Sequence, residues 1–158
     1  MSEYLKKSNP PVQKIDTETS ETVQRMLAEI QAGGEEAVRR YARDFDGWHG
    51  DIVLGDDAFA KAEKALSDGV KQDIRYARDR VCGFAQLQRD SLHEFQSELR
   101  PGLIAGQKLI PVSTAGCYVP GGRYAHAASA IMSVGTAKIA GVPNVVATSP
   151  AHKEHGVN

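Results

Sequence analysis

Residues 116–150 read GCYVPGGRYAHAASAIMSVGTAKIAGVPNVVATSP, and the fold turns on them. Ala115 to Val119 is a run of small and apolar residues that reads as a buried strand. Pro120-Gly121-Gly122 breaks it. The next stretch, from about Ala125 to Ala140, is built of Ala, Ser, Gly, Ile, Val and Met and predicts a helix able to lie close to a sheet. Gly141 ends that helix and Pro143 prevents its continuation; Asn144-Val145-Val146-Ala147-Thr148 then reads as a second buried strand. Strand, turn, helix, turn, strand make one βαβ unit. In open α/β sheets the turn at the carboxyl end of a strand is where ligands bind.

Upstream the chain is charged and mainly helical. Residues 1–16, with Pro10-Pro11, read as an extended arm. Val23, Met26, Leu27 and Ile30 share a face at helical spacing, and Gly33-Gly34 stops that helix. Val38, Tyr41, Ala42 and Phe45 repeat the pattern up to Gly47. Ile52-Val53-Leu54 is either a brief strand or an extended connector. Asp56 or Asp57 is placed to cap a third helix with the face Phe59, Ala62 and Leu66. Ser67-Asp68-Gly69 reads as a turn. A long helix follows from about Val70 to about Leu92, its seam formed by Val70, Ile74, Ala77, Val81 and Phe84, which suits packing within one subunit or a dimer contact. Pro101-Gly102 between Leu99-Arg100 and Leu103-Ile104 predicts a hairpin on a type II turn, its second strand running on towards Ile110-Pro111.

The change of composition places a domain boundary near 111–114. The expected organisation is an arm over 1–16, a mainly helical segment with a hairpin over 17–112, a first βαβ unit over 113–150 and a polar tail over 151–158. In class terms this is α/β, a helical segment followed by the first βαβ unit of an incomplete Rossmann-like parallel sheet. The chain stops eight residues beyond Pro150, too few to finish such a sheet, so a fragment is expected.

Composition narrows the function classes. The chain has 158 residues, 41% apolar and 25% charged, with net charge −1. Lys and Arg are dispersed, which speaks against nucleic acid and membrane surfaces. No apolar run approaches the roughly 20 residues of a bilayer span. The start, MSEYLKKSNPP, lacks the apolar core of a signal peptide. Cys82 and Cys117 form neither a disulfide framework nor a zinc cluster and read as reduced thiols of a cytoplasmic protein.

The PGG turn carries neither the G-x-G-x-x-G spacing of a dinucleotide motif nor the G-K-[ST] of a P-loop. Its side chains are nevertheless suggestive. The ring of Tyr118 could stack on a base or ribose, or pack in a core. Arg123, near a helix N-terminus, could attract an anion or lie on the surface. His126 and Ser129 share one face of the helix start, with no third member for a nucleophilic triad. His152-x-x-His155 has the spacing of a metal pair but stands in a polar tail without a further ligand, and reads as solvated.

The run GCYVPGG, the small-residue helix, AKIAGVPNVV and SP resemble the histidinol dehydrogenase family. GCYVPGGRYAHAASAIMSV, with MSEYLKK and GQKLIPV, looks like its sulfopropanediol dehydrogenase branch. The resemblance covers the chain from Met1 to about Pro150 and makes it the N-terminal part of a longer enzyme. It implies a homodimeric NAD- and zinc-dependent alcohol dehydrogenase with two Rossmann-like domains. The substrate would be 2,3-dihydroxypropane-1-sulfonate, oxidised in two steps to sulfolactate, or else L-histidinol, oxidised to histidine.

Carried over residue by residue, the resemblance places Tyr118, Pro120, Gly121 and Gly122 beside NAD. Phe45 and Pro150 fall near its adenosine half, and Ser129 near the substrate. Arg123, where histidinol enzymes usually carry small or apolar residues, suits an anionic sulfonate. The family's zinc ligands and catalytic Glu-His pair are expected beyond residue 158, so neither a catalytic residue nor a metal ligand is expected within the chain. It would then be inactive alone and would bind NAD weakly at best. Two other classes fit the same features, a non-catalytic dimerisation module and an NAD-binding module without chemistry. NAD⁺ binding separates them.

Overall fold

The computed structural model describes residues 17–121 and 125–151. The order is α1 (Thr17–Asp46), α2 (Asp56–Ala65), α3 (Asp68–Asp90), β1 (Phe95–Arg100), β2 (Leu103–Gln107), β3 (Thr114–Tyr118), α4 (Ala127–Ala130), a π-helical segment (Ile131–Gly135), α5 (Thr136–Ile139) and β4 (Asn144–Thr148). The chain divides into two compact units, Met1–Tyr41 and Ala42–Asn158. No described helix is long and apolar enough to cross a membrane. The expected arm over 1–16 and the polar tail with His152 and His155 lie outside the described residues.

In the first unit α1 breaks where the glycines predict. Gly34 takes φ 55° and ψ −138°, a conformation a side chain would strain. Gly33 is needed for another reason. A Cβ there would lie 3.1 Å from Ala37 Cβ, and Ala37 is buried. A clasp spans the break. Glu29 receives a hydrogen bond from the Tyr41 hydroxyl at 2.7 Å and pairs with Arg40, whose guanidinium lies 5.0 Å from the Tyr41 ring centre. The bond to Glu29, which the neutral phenol donates, holds the Tyr41 pKa above its ordinary value. The expected face of the first limb is only half covered. Met26 and Ile30 are half-buried, while Val23 and Leu27 are exposed.

In the second unit Gly47, at φ 65°, closes α1, with its N–H bonded to Arg43 and that of Trp48 to Ala42. Residues 52–54 form a connector rather than a strand. Two expected helix starts are corrected. The N-cap of α2 is Gly55, without a side-chain capping bond, while Asp56 and Asp57 stand inside the first turn, where their charge still favours the helix dipole. Leu66 has left the helix and α2 buries no residue, so the expected face of Phe59, Ala62 and Leu66 does not form. Ser67-Asp68-Gly69 is the start of α3 and not a turn. Ser67 is the N-cap, accepting from the Val70 N–H at 3.4 Å.

The α3 seam also departs from expectation. Ile74, Ala77 and Val81 are half-buried, but Phe84 is 64% exposed and Ala85 only 8%. The buried row follows the 3.6-residue turn of a straight helix, whereas the expected row followed the 3.5-residue period of a coiled coil. It packs against the π segment and α5 of the same chain.

The hairpin of β1 and β2 is antiparallel and turns at Gly102 with φ 80°, as the Pro-Gly pair predicts. Its second strand stops at Gln107 instead of reaching Ile110-Pro111. There Glu94 turns back to accept from the Leu109 N–H at 2.9 Å, and Gln107 donates to the His93 carbonyl at 2.6 Å.

Strands β3 and β4 pair in parallel, Thr114 opposite Asn144 and Tyr118 opposite Thr148. The crossover between them is the α4–π–α5 helix. Gly141, at φ 87°, closes it with bonds from the Gly141 N–H to Lys138 and from the Val142 N–H to Ala137. This is the double bond of a Schellman motif, and it seats Val142 in the core. The two strands are far less buried than their composition suggests. Cys117 is buried and Ala115 half-buried, on the face that alternation gives to the helix, but Tyr118 and Val146, on the opposite face, are 64% and 59% exposed. Parallel sheets are nearly always covered on both faces, and among the described residues a helix packs on one face alone.

Candidate functional site

Parallel pairing brings the carboxyl ends of β3 and β4 side by side, and their two outgoing loops leave from one edge. The Val119 N–H donates to the Thr148 carbonyl at 2.8 Å, which extends the ladder one step past the paired strands. Pro120 and Gly121 follow, both half-buried. Across from them Pro150 is half-buried as well. A Cβ on Gly121 would lie 3.2 Å from Pro150 Cδ and closer still to Cγ, so the pyrrolidine ring occupies the space a side chain would take.

Of the residues singled out in the sequence, Tyr118, Pro120, Gly121 and Pro150 therefore meet at one edge. Tyr118 presents its ring at the strand end, and Gly116, two residues back on the same face, has open space where a Cβ would be. Together they leave a flat surface bordered by an aromatic ring. Such a surface suits a planar ring or ribose, so the residues present fit a nucleotide cofactor lying across the strand ends.

His126 stands at the N-cap of α4, exposed and without a side-chain capping bond; its carbonyl accepts from the Ser129 and Ala130 N–H groups at 2.9 and 3.2 Å. Ser129 is half-buried, and its carbonyl accepts the Ser133 hydroxyl at 2.7 Å. Phe45 belongs to the end of α1 and is 63% exposed, on an element apart from the turn. Gly122 and Arg123 lie outside the described residues. Among the described residues no three His, Cys, Asp or Glu side chains come together as a metal-holding group.

Two features of this region escape sequence reasoning. One is the π segment in the crossover helix, where the Ser133 and Thr136 hydroxyls bond back to carbonyls one turn earlier. The other is the seat of α3 on it. A Cβ on Gly135 would lie 2.9 Å from Cys82 Sγ, so the absent side chain admits the thiol. The stretch Ser133-Val134-Gly135-Thr136 is the local signal, and it names no partner.

The comparisons agree with this architecture. The family model described as histidinol dehydrogenase matches residues 10–158. The chain belongs to the histidinol dehydrogenase family. Among its individual relatives is a histidinol dehydrogenase homolog of Ruegeria pomeroyi, 51% identical over 94% of this chain and 34% of that protein. A sulfopropanediol 3-dehydrogenase of the same organism is 45% identical over 98% of this chain and 36% of that protein. The crystal structure of histidinol dehydrogenase from Elizabethkingia anophelis superposes with a TM-score of 0.82 at 24% identity, over 94% of this chain and 34% of that one, and shows the shared fold. The chain thus spans about a third of the length of the relatives it matches.

Proposed function

We propose that this chain forms one wall of the NAD site of an alcohol dehydrogenase that oxidises 2,3-dihydroxypropane-1-sulfonate to sulfolactate. The observation that carries the reading is the likeness to the sulfopropanediol 3-dehydrogenase, which runs through 98% of this chain. The exposed Tyr118 ring and the open strand face beside it support the placement of the cofactor. Bound NAD⁺ supplies the hydride acceptor. The chain's own part is to hold and orient. Tyr118 offers a face for stacking, the Pro120-Gly121 turn lets a flat group approach the main chain, and Ser129 is proposed to line the substrate side. Arg123 is proposed to receive the sulfonate, since a guanidinium matches an anion and would repel the amino group of histidinol. No step is assigned to zinc on these residues.

The same reading carries a Rossmann-like completion of the β3–β4 sheet, a domain boundary near 111–114, a homodimer and a cytoplasmic setting. L-Histidinol is the second substrate reading, and the 51% likeness to a histidinol dehydrogenase homolog keeps it open.

The experiment is a graft of residues 1–158 in place of the matching segment of the Ruegeria pomeroyi sulfopropanediol 3-dehydrogenase. NADH formation is expected with the sulfonate and not with L-histidinol. Arg123→Ala is expected to raise the KM for the sulfonate about tenfold, the size of one lost charge-assisted contact. An unchanged KM removes Arg123 from the substrate site, and a preference for histidinol reverses the assignment. The chain by itself is expected to produce no NADH.

A further inference from the structure

We infer that Gly121 and Pro150 are a positioning pair, whose contact sets the spacing of the two loops leaving β3 and β4 and through it the affinity for NAD; this rests on reading that edge as the NAD wall. The last backbone tie between the strands is the 2.8 Å bond from Val119 to Thr148. Beyond it, among the described residues, no backbone hydrogen bond joins the loops. Pro120 and Pro150 have no N–H with which to make one. Packing must hold the loops instead, and it does so where the Pro150 ring fills the side-chain space of Gly121.

A proline ring cannot rotate out of the way as a longer side chain would. A Cβ at Gly121, 3.2 Å from Pro150 Cδ and closer still to its Cγ, must therefore push the loops apart. Gly121 is not among the glycines with positive φ, so alanine there brings the clash without backbone strain. Half-buried against each other, Gly121 and Pro150 act through the loop spacing and leave the exposed Tyr118 to meet the ligand.

The test is a calorimetric titration with NAD⁺ of the full-length graft described above, in which residues 1–158 replace the matching segment of the Ruegeria pomeroyi sulfopropanediol 3-dehydrogenase, unsubstituted and as Gly121→Ala, Pro150→Ala and the double variant. Gly121→Ala is expected to weaken binding about tenfold, as overpacking of one methyl implies. Pro150→Ala, which frees the loops, is expected to weaken it about threefold, and the double variant to bind more tightly than Gly121→Ala. Hydrogen exchange of the Val119 amide, which needs no NAD⁺, is expected to quicken in Gly121→Ala and slow again in the double variant.

Unchanged affinity in Gly121→Ala overturns the inference. So does a double variant no better than that single one, or an exchange change with no change in affinity, which leaves the contact merely structural. If the unsubstituted graft folds but binds no NAD⁺ at all, the cofactor wall itself is overturned, and this result is distinct from the others. Should Gly121→Ala not fold, an affinity of Pro150→Ala equal to that of the unsubstituted graft overturns the inference, and a threefold loss with faster Val119 exchange supports it.

Discussion

The two sheets of this chain are held in opposite ways. The β1–β2 hairpin is local. Its turn is set by Pro101-Gly102, Glu98 accepts from the Gly102 N–H at 2.8 Å, and every residue of both strands is exposed. The β3–β4 pair is joined through a whole helix, and that helix is seated by α3 from elsewhere in the sequence. The hairpin is specified by its own residues, and the hollow it lines with Phe95, Gln96, Ile104 and Gly106 is shallow and open. The parallel pair depends on distant residues, and its strand ends carry the candidate site. The contrast teaches that an unusual sequence at the PGG turn can be shaped only as well as α3 and the crossover helix support it.

The largest expected effect breaks the hairpin and leaves the parallel pair intact. A Cβ on Gly106 would lie 3.0 Å from Gln96 Cα and closer to the Phe95 carbonyl oxygen, and backbone cannot yield as a side chain can. Gly106→Ala should cost about 3 kcal/mol, at the upper end for overpacking. Hydrogen exchange should show lost protection in β1 and β2 only. Next comes Gly135→Ala, which meets Cys82 Sγ and should cost about 2 kcal/mol. Here protection should fall in α3, the crossover helix and β3 together, and Cys82→Ala in the same chain should restore most of it. A loss confined to residues near 135 would contradict the seating by α3.

Gly102→Ala is a milder probe of the hairpin. Its positive φ makes alanine unfavourable by about 1 kcal/mol, read from the same exchange experiment. The smallest effect belongs to another locally held element, the α1 clasp. Because folding raises the Tyr41 pKa, its contribution is complete below the ordinary tyrosine value of about 10 and is lost as pH climbs from there through the raised value. Chemical denaturation across that window should show stability falling with pH, and Tyr41→Phe should flatten the slope.

How much of this was legible in the sequence follows the same division. The break at Gly34, the stop at Gly47, the Pro-Gly hairpin and the bounds of β4 are written in single residues with narrow conformational preferences. The start of α3 at Ser67 was legible in kind, but Ser-Asp-Gly serves turns and caps alike. Phe84 was drawn into the seam by hydrophobicity, yet the neighbouring Ala85 is the residue that fits against a closely packed helix. At the site, the glycines and Tyr118 stood out as a turn, and the family resemblance gave them a cofactor. The closeness of Gly121 to Pro150, and of Gly135 to Cys82, arises from pairing and packing across the chain, which no local pattern encodes.

The most direct measurement of the central claim is peptide-resolved hydrogen exchange of the full-length graft with and without NAD⁺. Added protection is expected at the ends of β3 and β4, residues 116–121 and 146–151, with β1 and β2 unmoved. Protection centred on the hairpin, or none at the strand ends, would contradict the cofactor wall.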